Sequence, residues 1–556
     1  MSSHSTKGVD RSPSERVDVC IVGAGVAGAL VAYSLSKKGY EVVMLEAGKR
    51  FDRDDRLQRM EQDIRPEHGG EAVWDMDNKR DKYTSSGELF YPLNQSRVKG
   101  VGGTTLHWMG IASRLHEKDF EMRSRYGVAS DWPISYADLR PYYATAEKEL
   151  GVAGRTDNPF APPRETGYPM EAFPYSYSDG LFIDTCEKLG IKTHTVSQAR
   201  NSEQYDDRSP CLGYSTCIKV CPSGAKYSGD VHVQKAEQNG VRIIDRAPVQ
   251  YLEHDADGSH IEAAVYATPN GETRRQSARQ FVIACGAVET ARLLLLSESE
   301  TYPDGLANSS GLVGRYFMEH PTVGIEGRLD QPTNQNPIGF QTMESEQFYD
   351  HDDPLPGSFL LTFENRGPTS PVDMALTGGD SGKFGDDLMD IAAGDEWGDA
   401  LFETMQENFT QNRVGLTAIA EPLPRKENAV TLDRTKTDDH GNPVPEISWS
   451  LGAYERETME HALSVQRRIL DELGAEIMSV QGPSNPQQAN HHAGTTRMGE
   501  DPAGSVVDPR LRTHDIRNLT IASGSVFVSV GASPPTLTIA ALSLKAADHI
   551  ADSLEN

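Results

Sequence analysis

The sequence is poor in cysteine and contains no long hydrophobic run. Six cysteines among 556 residues are too few for a disulfide scaffold. Compact apolar runs such as Leu293 to Leu296 are far shorter than the roughly 20 residues that a membrane-spanning helix needs. The first 17 residues are polar, without the hydrophobic region of a signal peptide or a twin-arginine pair. These absences predict a cytoplasmic protein with no direct membrane span.

Positive charge is also scarce. The chain has 54 Lys and Arg residues against 82 Asp and Glu residues, a net charge of −28, and only 18 of the basic residues are lysine. Nucleic acid binding requires a cationic surface, so the composition argues against a nucleic acid partner. An acidic surface poor in lysine is typical of halophilic proteins, because concentrated salt screens its self-repulsion. An ordinary acidic enzyme is the alternative interpretation.

The N-terminal segment carries a dinucleotide-binding fingerprint. The apolar run 17–22 predicts a buried parallel strand, and Gly23, Gly25 and Gly28 follow it before a helical pattern begins. Gly23 permits a tight turn, Gly25 lets the backbone approach a pyrophosphate, and Gly28 lets the helix pack closely on the strand. A second predicted strand ends at Glu46, whose carboxylate can accept hydrogen bonds from ribose hydroxyls. The fingerprint alone does not separate NAD from FAD.

A second glycine-rich turn lies in the segment RVKGVGGTTLHWMG. Gly102 and Gly103 let its backbone run close to a flat ring system. The amides and hydroxyls of Thr104 and Thr105 can hydrogen-bond the polar edge of such a ring. The turn therefore indicates a flavin contact, although taken alone it is equally compatible with a structural role.

Several ordered motifs resemble those of the glucose–methanol–choline (GMC) oxidoreductases. They are GAGVAG with EAG, KGVGGTTLHW, DWPISYADLRPYYATAEKELGV, FVIACGAVETARLLLLS, NSSGLVGRYFMEHP, and the C-terminal stretch from HHAGTTRMG to PPTLTIAAL. The likeness extends over nearly the whole chain. It implies an α/β fold, in which a Rossmann-like FAD-binding domain is interleaved with a substrate domain built on an antiparallel sheet. It also implies bound FAD and oxidation of a primary or secondary alcohol.

The resemblance suggests a division of the chain into domains. After a polar tail at 1–16, the segments assigned to the FAD-binding domain are 17–125, 225–330 and 480–556. Those assigned to the substrate domain are 126–224 and 331–479, with a cysteine-containing loop at 211–222. In the middle of the chain, segments 413–424, 428–432 and 444–449 predict antiparallel strands and 454–472 predicts an amphipathic helix. The segment 350–399, rich in Asp and Gly, predicts a surface loop.

The family pattern H-x-x-G-T-x-R-M-G indicates His491 as the catalytic residue. A flavin-dependent alcohol oxidation needs a base for the hydroxyl proton while hydride leaves carbon for flavin N5, and histidine has a suitable pKa. The second active-site residue of the family, a His or Asn before the final P-T-L-T, is absent here. Ser533 or Pro534 takes its place, depending on the alignment. A serine hydroxyl can hydrogen-bond the substrate oxygen, whereas proline has no donor. We predict a single base at His491, assisted by Ser533.

Further FAD contacts are expected near the C-terminus and in the middle of the chain. The segment 536–548 predicts a helix that begins after two prolines, and the positive end of its dipole can stabilise negative charge on a reduced flavin. We assign Ser525 and Thr536 as contacts there. Val249 and Gly286 complete the predicted FAD contacts.

Three of the six cysteines lie close together, at Cys211, Cys217 and Cys221, in the pattern C-x5-C-x3-C-P. From the residues alone, these thiols could hold a metal, form a disulfide with one free thiol left over, or do neither. Structural zinc takes four ligands, and the nearest additional candidates, Cys186 and His232, are distant in the sequence. The closing C-P resembles the end of ferredoxin-type ligand runs. The FAD-dependent glucose, fructose and gluconate dehydrogenase large subunits carry a similar loop. That resemblance assigns the three cysteines to a [3Fe–4S] cluster.

The same resemblance implies a dehydrogenase that oxidises a CH–OH group of a sugar, polyol or sugar acid. Its electrons would pass through the cluster to an external acceptor. Large subunits of this kind work with a small subunit that carries a twin-arginine signal, and often with a cytochrome. Export or membrane association with such a partner is therefore the alternative to a cytoplasmic location. A simple alcohol or choline-type oxidase, and an electron-transfer flavoprotein without alcohol chemistry, are the alternative functions.

Overall fold

The computed structural model describes residues 11–63, 72–214, 216–333, 341–350, 357–364, 398–399 and 412–555. Most of the polar tail predicted at 1–16, and most of the surface loop predicted at 350–399, lie outside these residues. Among the described helices, none is both long enough and apolar enough to cross a bilayer.

The described strands and helices are numbered here in chain order. The strands are β1 Val17–Val22, β2 Val42–Leu45, β3 Thr84–Ser86, β4 Ala153–Gly154, β5 Met170–Glu171, β6 His194–Thr195, β7 Arg242–Ile244, β8 Val249–His254, β9 Ile261–Ala267, β10 Thr273–Ile283, β11 Pro321–Arg328, β12 Met343–Ser345, β13 Phe359–Glu364, β14 Arg413–Ala420, β15 Ala429–Thr437, β16 Pro443–Ser448, β17 Glu476–Gln481, β18 Gln487–Gln488 and β19 Leu519–Ile521. The α-helices are α1 Val26–Lys37, α2 Arg56–Asp63, α3 Leu93–Ser96, α4 Met122–Tyr126, α5 Tyr136–Leu150, α6 Tyr177–Lys188, α7 Asp230–Gln238, α8 Gly286–Leu296, α9 Ala453–Leu473 and α10 Thr536–Glu555. Short 3₁₀ helices are Ala72–Trp74, Gly103–Leu106, Glu117–Phe120 and Gly524–Val526.

The first sheet has a parallel part in the strand order β7-β2-β1-β10-β19. Its central strand β1 is an apolar run with Val19 and Ile21 fully buried, as expected for a strand covered on both faces. Helix α1 packs closely behind it, because a Cβ at Gly28 would lie 2.1 Å from the carbonyl oxygen of Gly23. The first half of β10 pairs antiparallel with β9, and β9 pairs antiparallel with β8, so these strands extend the sheet.

The second sheet is antiparallel, in the strand order β17-β11-β14-β13-β12-β6, with β18 paired to β11. Helix α9 covers one of its faces with a buried apolar stripe that includes Met459, Ala462 and Ile469. The predicted α/β architecture, with one Rossmann-like sheet and one antiparallel sheet, is confirmed. The strands predicted at 413–424, 428–432 and 444–449 correspond to β14, β15 and β16.

Two elements cross the domain boundaries that the sequence suggested. Strand β11 lies inside the antiparallel sheet, between β17 and β14, although residues up to 330 were assigned to the FAD-binding side. Helix α5 was assigned to the substrate side, but it packs on α10 in the first core, where the Tyr143 hydroxyl hydrogen-bonds Thr538 at 2.7 Å. The buried face of α5, with Leu139 and Ala146, matches that surface and explains its position. The division into domains otherwise stays a prediction.

Candidate active site

A cavity of about 1300 Å³ lies between the two sheets. One side of it follows the carboxyl ends of the parallel strands, where Gly23 and Glu46 stand after β1 and β2. The opposite side is formed by residues of the antiparallel sheet, including Thr322, Thr362 and Thr417. Clefts at the carboxyl ends of parallel strands are the usual position of dinucleotides in open α/β sheets.

The two predicted glycine turns meet in this cavity. Gly25 caps the N-terminus of α1 without a side-chain hydrogen bond, so the first-turn amides remain available to a phosphate. A Cβ at Gly103 would lie 2.7 Å from the Cα of Gly25. Gly23 has a φ of +102°, and a Cβ there would lie 2.6 Å from the carbonyl oxygen of Ala284. A side chain at Gly103 would push the two turns apart. A side chain at Gly23 would collide with Ala284 and disturb the groove.

Glu46 is held in a fixed orientation at the edge of the groove. Its carboxylate accepts hydrogen bonds from the backbone amides of Ala24 at 2.8 Å and Gly48 at 2.9 Å. Burial raises the pKa of this carboxyl group, and the two amide hydrogen bonds act in the opposite direction. Each carboxylate oxygen has a second lone pair, which a ribose hydroxyl can use.

The other predicted cofactor contacts fall into two groups. Thr104, Thr105, Val249, Gly286 and Thr536 line the cavity together with the residues above. Gly28, Gly102 and Ser525 lie behind its wall. Gly102 donates to the Ala24 carbonyl at 2.9 Å, and the Ser525 hydroxyl accepts a hydrogen bond from Thr496 at 2.7 Å. These three residues support the wall rather than form it.

His491 lines the cavity and is hydrogen-bonded to a second histidine. Its Nδ1 lies 3.0 Å from Nδ1 of His320, and Nε2 of His320 lies 2.8 Å from the carbonyl oxygen of Gly531. A carbonyl only accepts, so Nε2 of His320 carries a proton and, in the neutral ring, its Nδ1 is an acceptor. Nδ1 of His491 must then be the donor. Neutral His491 is left with an unprotonated Nε2, which is the lone pair of a base.

Burial keeps both histidines neutral. It lowers the pKa of His491 well below the ordinary histidine value, and His320 and His492 act in the same direction. Burial lowers the pKa of His320 to about 4, against a smaller opposite effect of its hydrogen bond to Gly531. The assignment of ring protons above therefore applies at neutral pH.

A buried glutamate holds the histidine pair in position. One oxygen of Glu319 accepts hydrogen bonds from the backbone amides of His491 at 2.8 Å and His320 at 2.9 Å. Its other oxygen accepts from the hydroxyl of Tyr91. Burial raises the pKa of Glu319 to about 7. Sequence reasoning did not single out Glu319 or His320, although both belong to the quoted motif NSSGLVGRYFMEHP, because that motif does not show which of its side chains face the site.

His492 and Asn490, the two neighbours of His491 in the sequence, differ from it in their surroundings. The Nε2 of His492 lies 2.9 Å from the hydroxyl of Ser96, so this ring nitrogen is already in use. Asn490 lines the cavity, is exposed to it and has a φ of +65°. An asparagine tolerates this left-handed conformation better than most residues. Its amide is a polar group beside the base that the sequence motif did not indicate.

Ser533 does not lie in the cavity wall. Pro534 and Pro535 border the cavity at this point, whereas Ser533 is 1% exposed and its hydroxyl has no hydrogen-bond partner among the described residues. The assisting role assigned to Ser533 therefore has no structural support, and Pro534 takes the position facing the cavity.

The three clustered cysteines lie on a loop beside the cavity. All six cysteines are free thiols. The fully buried Lys226 ties this loop to the second glycine turn, because its Nζ donates to the carbonyls of Cys217 at 2.6 Å, Trp108 at 2.5 Å and Leu106 at 3.2 Å. Burial lowers the pKa of Lys226 to about 8. Ile218, between the second and third cysteines of the loop, lines the cavity.

The alternative zinc ligands are occupied elsewhere. Cys186 is fully buried in the core of the antiparallel sheet. Both ring nitrogens of His232 are hydrogen-bonded, to the Tyr227 hydroxyl at 2.9 Å and to Glu149 at 3.1 Å. A four-ligand zinc site at the cysteine loop therefore has no fourth ligand from these two residues.

The sequence also matches a known family over most of its length. Two GMC oxidoreductase profiles match residues 21–322 and 424–543. The chain belongs to the GMC oxidoreductase family. The resemblance noted in the motifs is confirmed, and the protein is an oxidoreductase that acts on CH–OH donors.

Individual GMC relatives match over nearly their whole length. The chain is 35% identical to the fructose dehydrogenase large subunit of Gluconobacter japonicus, over 97% of this chain and 98% of that protein. It is 27% identical to the 2-methyl-1,2-propanediol dehydrogenase of Mycolicibacterium austroafricanum, over 97% and 95%. A solved structure of the formate oxidase of Aspergillus oryzae RIB40 has a TM-score of 0.66 at 16% identity, covering 98% of this chain and 99% of that one. That last likeness shows a common fold.

Membership of the GMC family confirms the prediction of FAD, and the cavity fits this cofactor. The first-turn amides of α1 have no side-chain cap and can bind the pyrophosphate of FAD. The close contact between Gly25 and Gly103 keeps the groove free of side chains. Glu46 is placed to hydrogen-bond the ribose. Thr104 and Thr105 lie in the same wall, where their hydroxyls and amides can meet the edge of a ring.

Substitution of Gly103 by Ala tests this assignment. The added Cβ would lie 2.7 Å from Gly25, so we expect the variant to lose FAD on desalting, with at least a tenfold lower affinity if the turns separate. The measurement is flavin absorbance per protein. Gly127→Ala is the matched control, because Gly127 also has a positive φ but has no atom within 4 Å of its Cβ position. Equal FAD retention in the two variants would contradict the assignment.

Proposed function

We propose that this protein is an FAD-dependent dehydrogenase that oxidises a CH–OH group of a sugar, polyol or sugar acid. Its electrons leave through a [3Fe–4S] cluster, held by Cys211, Cys217 and Cys221, to an external acceptor. The observation that carries the proposal is the hydrogen-bonded pair of His320 and His491, because it leaves an unprotonated nitrogen at the cavity. The similarity to a fructose dehydrogenase large subunit supports the substrate class.

FAD, when bound, supplies the acceptor for the hydride that leaves the alcohol carbon. Nε2 of His491 accepts the hydroxyl proton, and the alcohol becomes a carbonyl compound as the hydride departs. His320 keeps His491 in the required tautomer through the Nδ1 hydrogen bond. Glu319 keeps His491 in position, because its carboxyl group accepts a hydrogen bond from the His491 backbone amide.

The polar lining of the cavity suits a substrate with several hydroxyl groups. On the side of the antiparallel sheet, hydroxyl and amide side chains line it, namely Thr322, Gln341, Thr362, Thr417 and Gln488. Each substrate hydroxyl that leaves water needs a hydrogen-bond partner, and these side chains offer both donors and acceptors. The hydroxyls of Thr322, Thr362 and Thr417 already donate to protein oxygen atoms and so offer acceptors, while Oε1 of Gln341 has no partner among the described residues.

The cysteine loop supports a route for electrons away from the cavity. Three thiolates in one loop match the ligand number of a [3Fe–4S] cluster, and the cations Lys226 and Arg200 lie near their sulfur atoms. Two large apolar side chains beside Cys211 are exposed, Leu212 by 66% and Tyr214 by 47%. Exposed apolar groups are common where another protein docks. We infer that a small subunit, a cytochrome or another electron acceptor binds at this loop.

Anaerobic mixing with a panel of substrates tests the proposed reaction. The panel contains aldoses, ketoses, sugar acids, polyols and simple alcohols, and the readout is bleaching of the flavin absorbance. We expect bleaching by at least one polyhydroxy substrate and slow reoxidation by oxygen. Bleaching by simple alcohols with fast reoxidation would instead indicate an oxidase. A flavin that no alcohol reduces would indicate an electron-transfer flavoprotein.

Asn490→Gly tests whether the Asn490 amide orients the substrate. Glycine accepts the φ of +65°, so the variant removes the amide without straining the backbone. We expect kcat/KM to fall about tenfold, as for the loss of one hydrogen bond of about 1.4 kcal/mol, with FAD content unchanged. Asn490→Asp, which keeps an acceptor but loses the donor, is the comparison. An unchanged kcat/KM in both variants would contradict this role.

We also propose that the net charge of −28 is an adaptation to concentrated salt. Mutual repulsion of surface carboxylates destabilises the folded state, and salt screens it. The midpoint of thermal unfolding is expected to rise as KCl is increased from low to molar concentration. Parallel scans in sorbitol control for general solute effects. A midpoint that does not change with KCl would contradict the proposal.

A further inference from the structure

A cluster of three buried side chains lies on the antiparallel sheet, away from the FAD cavity. His194 on β6 and Glu344 on β12 are cross-strand partners, and Glu346 follows just after β12. One donor atom from each residue lies within 4.8 Å of the other two. The three residues are only 2%, 2% and 4% exposed, so water does not cover these groups from outside. None of them lines the cavity.

Two buried polar atoms of these side chains have no hydrogen-bond partner among the described residues, and the close approach of His194 to Glu344 is from Nδ1 to Oε1, at 4.0 Å. Nδ1 of His194 lies 3.3 Å from the carbonyl oxygen of Thr195, so in the neutral ring this nitrogen is the donor and Nε2 has a free lone pair. That Nε2 has no hydrogen-bond partner among the described residues, and neither has Oε2 of Glu344. A buried lone pair without a partner is costly, so native proteins normally satisfy such atoms with a side chain, a water or an ion.

The third residue is positioned by its own hydrogen bonds. Oε2 of Glu346 interacts with Nε2 of His116 at 3.0 Å and with the amide of Asn158 at 2.5 Å. The ring of His116 stacks on Tyr349, with ring centroids 4.0 Å apart. These contacts fix the Glu346 carboxylate through Oε2 and leave Oε1 outside these two hydrogen bonds. Metal-binding carboxylates and histidines are typically held in this way by a second set of hydrogen bonds.

We propose that His194, Glu344 and Glu346 bind a divalent transition-metal ion, with Zn²⁺ as the best fit. One imidazole nitrogen and two carboxylate oxygens form a ligand set that suits zinc, and a water molecule can complete the tetrahedron. Ca²⁺ fits less well, because it takes six to eight oxygen ligands. The ion joins β6 to β12 through His194 and Glu344. Its role is structural, since the site lies outside the cavity wall.

Zinc content of the FAD-containing protein tests the site. The protein is dialysed against EDTA, incubated with ZnCl₂, desalted and analysed for zinc by mass spectrometry. The cysteine loop can also take up zinc, so the measurement is repeated in the Cys211→Ser, Cys217→Ser, Cys221→Ser variant. We expect one zinc per chain in that variant, and at least a tenfold weaker zinc affinity after Glu344→Gln is added. Glu149→Gln is the matched control, because Glu149 pairs with the buried His232 and no third ligand lies beside them among the described residues.

Two results would overturn the proposal. One is no zinc in the cysteine variant after incubation, which would mean that buried water satisfies the free lone pairs. The other is equal zinc affinity before and after Glu344→Gln. If the substituted protein does not fold, an anomalous difference map of wild-type crystals at the zinc edge decides the matter. A peak between His194 and Glu344 supports the site, and a peak confined to the cysteine loop overturns it.

Discussion

Replacement of His491 by Ala is expected to lower the rate of flavin reduction by roughly 10²–10⁴-fold, the usual contribution of a general base. Nε2 of His491 is the lone pair that the hydrogen-bonded pair of His320 and His491 presents to the cavity. Anaerobic stopped-flow reduction with a substrate found in the panel measures this step directly, without the later electron transfer. The FAD content of the variant must equal that of the wild type.

His492→Ala is the matched control for this prediction. The two histidines are neighbours and both border the cavity, but Nε2 of His492 is engaged with Ser96. We expect less than about a tenfold effect on flavin reduction, as for loss of one supporting hydrogen bond. Near-normal reduction in His491→Ala, or equal losses in the two variants, would contradict the role of His491 as the base.

The pH dependence of the rate follows from the lowered pKa of His491. A base works in its unprotonated form, so the rate falls only when the pH is lowered to the pKa of the group. Burial and the neighbouring histidines hold that pKa well below the ordinary value. The rate of flavin reduction should therefore stay level as the pH is lowered through about 6.5, the pKa of an ordinary histidine. His320→Ala removes the acceptor of Nδ1, and we expect it to change this profile as well as the rate.

The second large effect is expected from the triple replacement of Cys211, Cys217 and Cys221 by Ser. If the loop holds a [3Fe–4S] cluster, iron should fall from about three atoms per chain to near zero, because serine does not replace the thiolate ligands. Turnover with an external acceptor should fall to near background. Reduction of the flavin by substrate should persist, because His491 and the glycine turns are unchanged. The variant would thus separate reduction of the flavin by substrate from electron transfer to the external acceptor.

Iron and sulfide analysis of anaerobically purified protein measures the cluster, and its electron paramagnetic resonance signal in the oxidised state identifies it. Cys186→Ser is the control, because Cys186 is buried in the core of the antiparallel sheet and lies outside the loop. Wild-type protein with iron near zero per flavin would contradict the assignment. So would a triple variant that retains full turnover with the external acceptor.

Much of the cofactor site could be predicted from the sequence, because its signals are local. The run 17–22 and the glycines after it form β1 and the start of α1 within a dozen residues, and backbone conformation there depends on residue type. The segment predicted as a helix at 454–472 is α9, from Ala453 to Leu473, for the same reason. Family motifs extended this prediction to FAD and to His491.

The tertiary structure alone decided how distant residues meet. His320 and His491 are 171 positions apart, and the antiparallel pairing of the segments around β11 and β18 brings their Nδ1 atoms to 3.0 Å. It also decided that Pro534 and not Ser533 faces the cavity. Adjacent residues of a chain can face opposite sides, so the sequence motif could not distinguish between the two.

The sequence by itself thus determined the fold class, the glycine groove for FAD and the candidate base. Each of these depends on neighbours along the chain, where sterics and periodicity apply directly. The proton arrangement at His491, the course of β11 through the antiparallel sheet and the cluster of His194, Glu344 and Glu346 were decided only by the tertiary structure. They depend on contacts between segments far apart in the chain, and a single sequence carries no local pattern for such contacts.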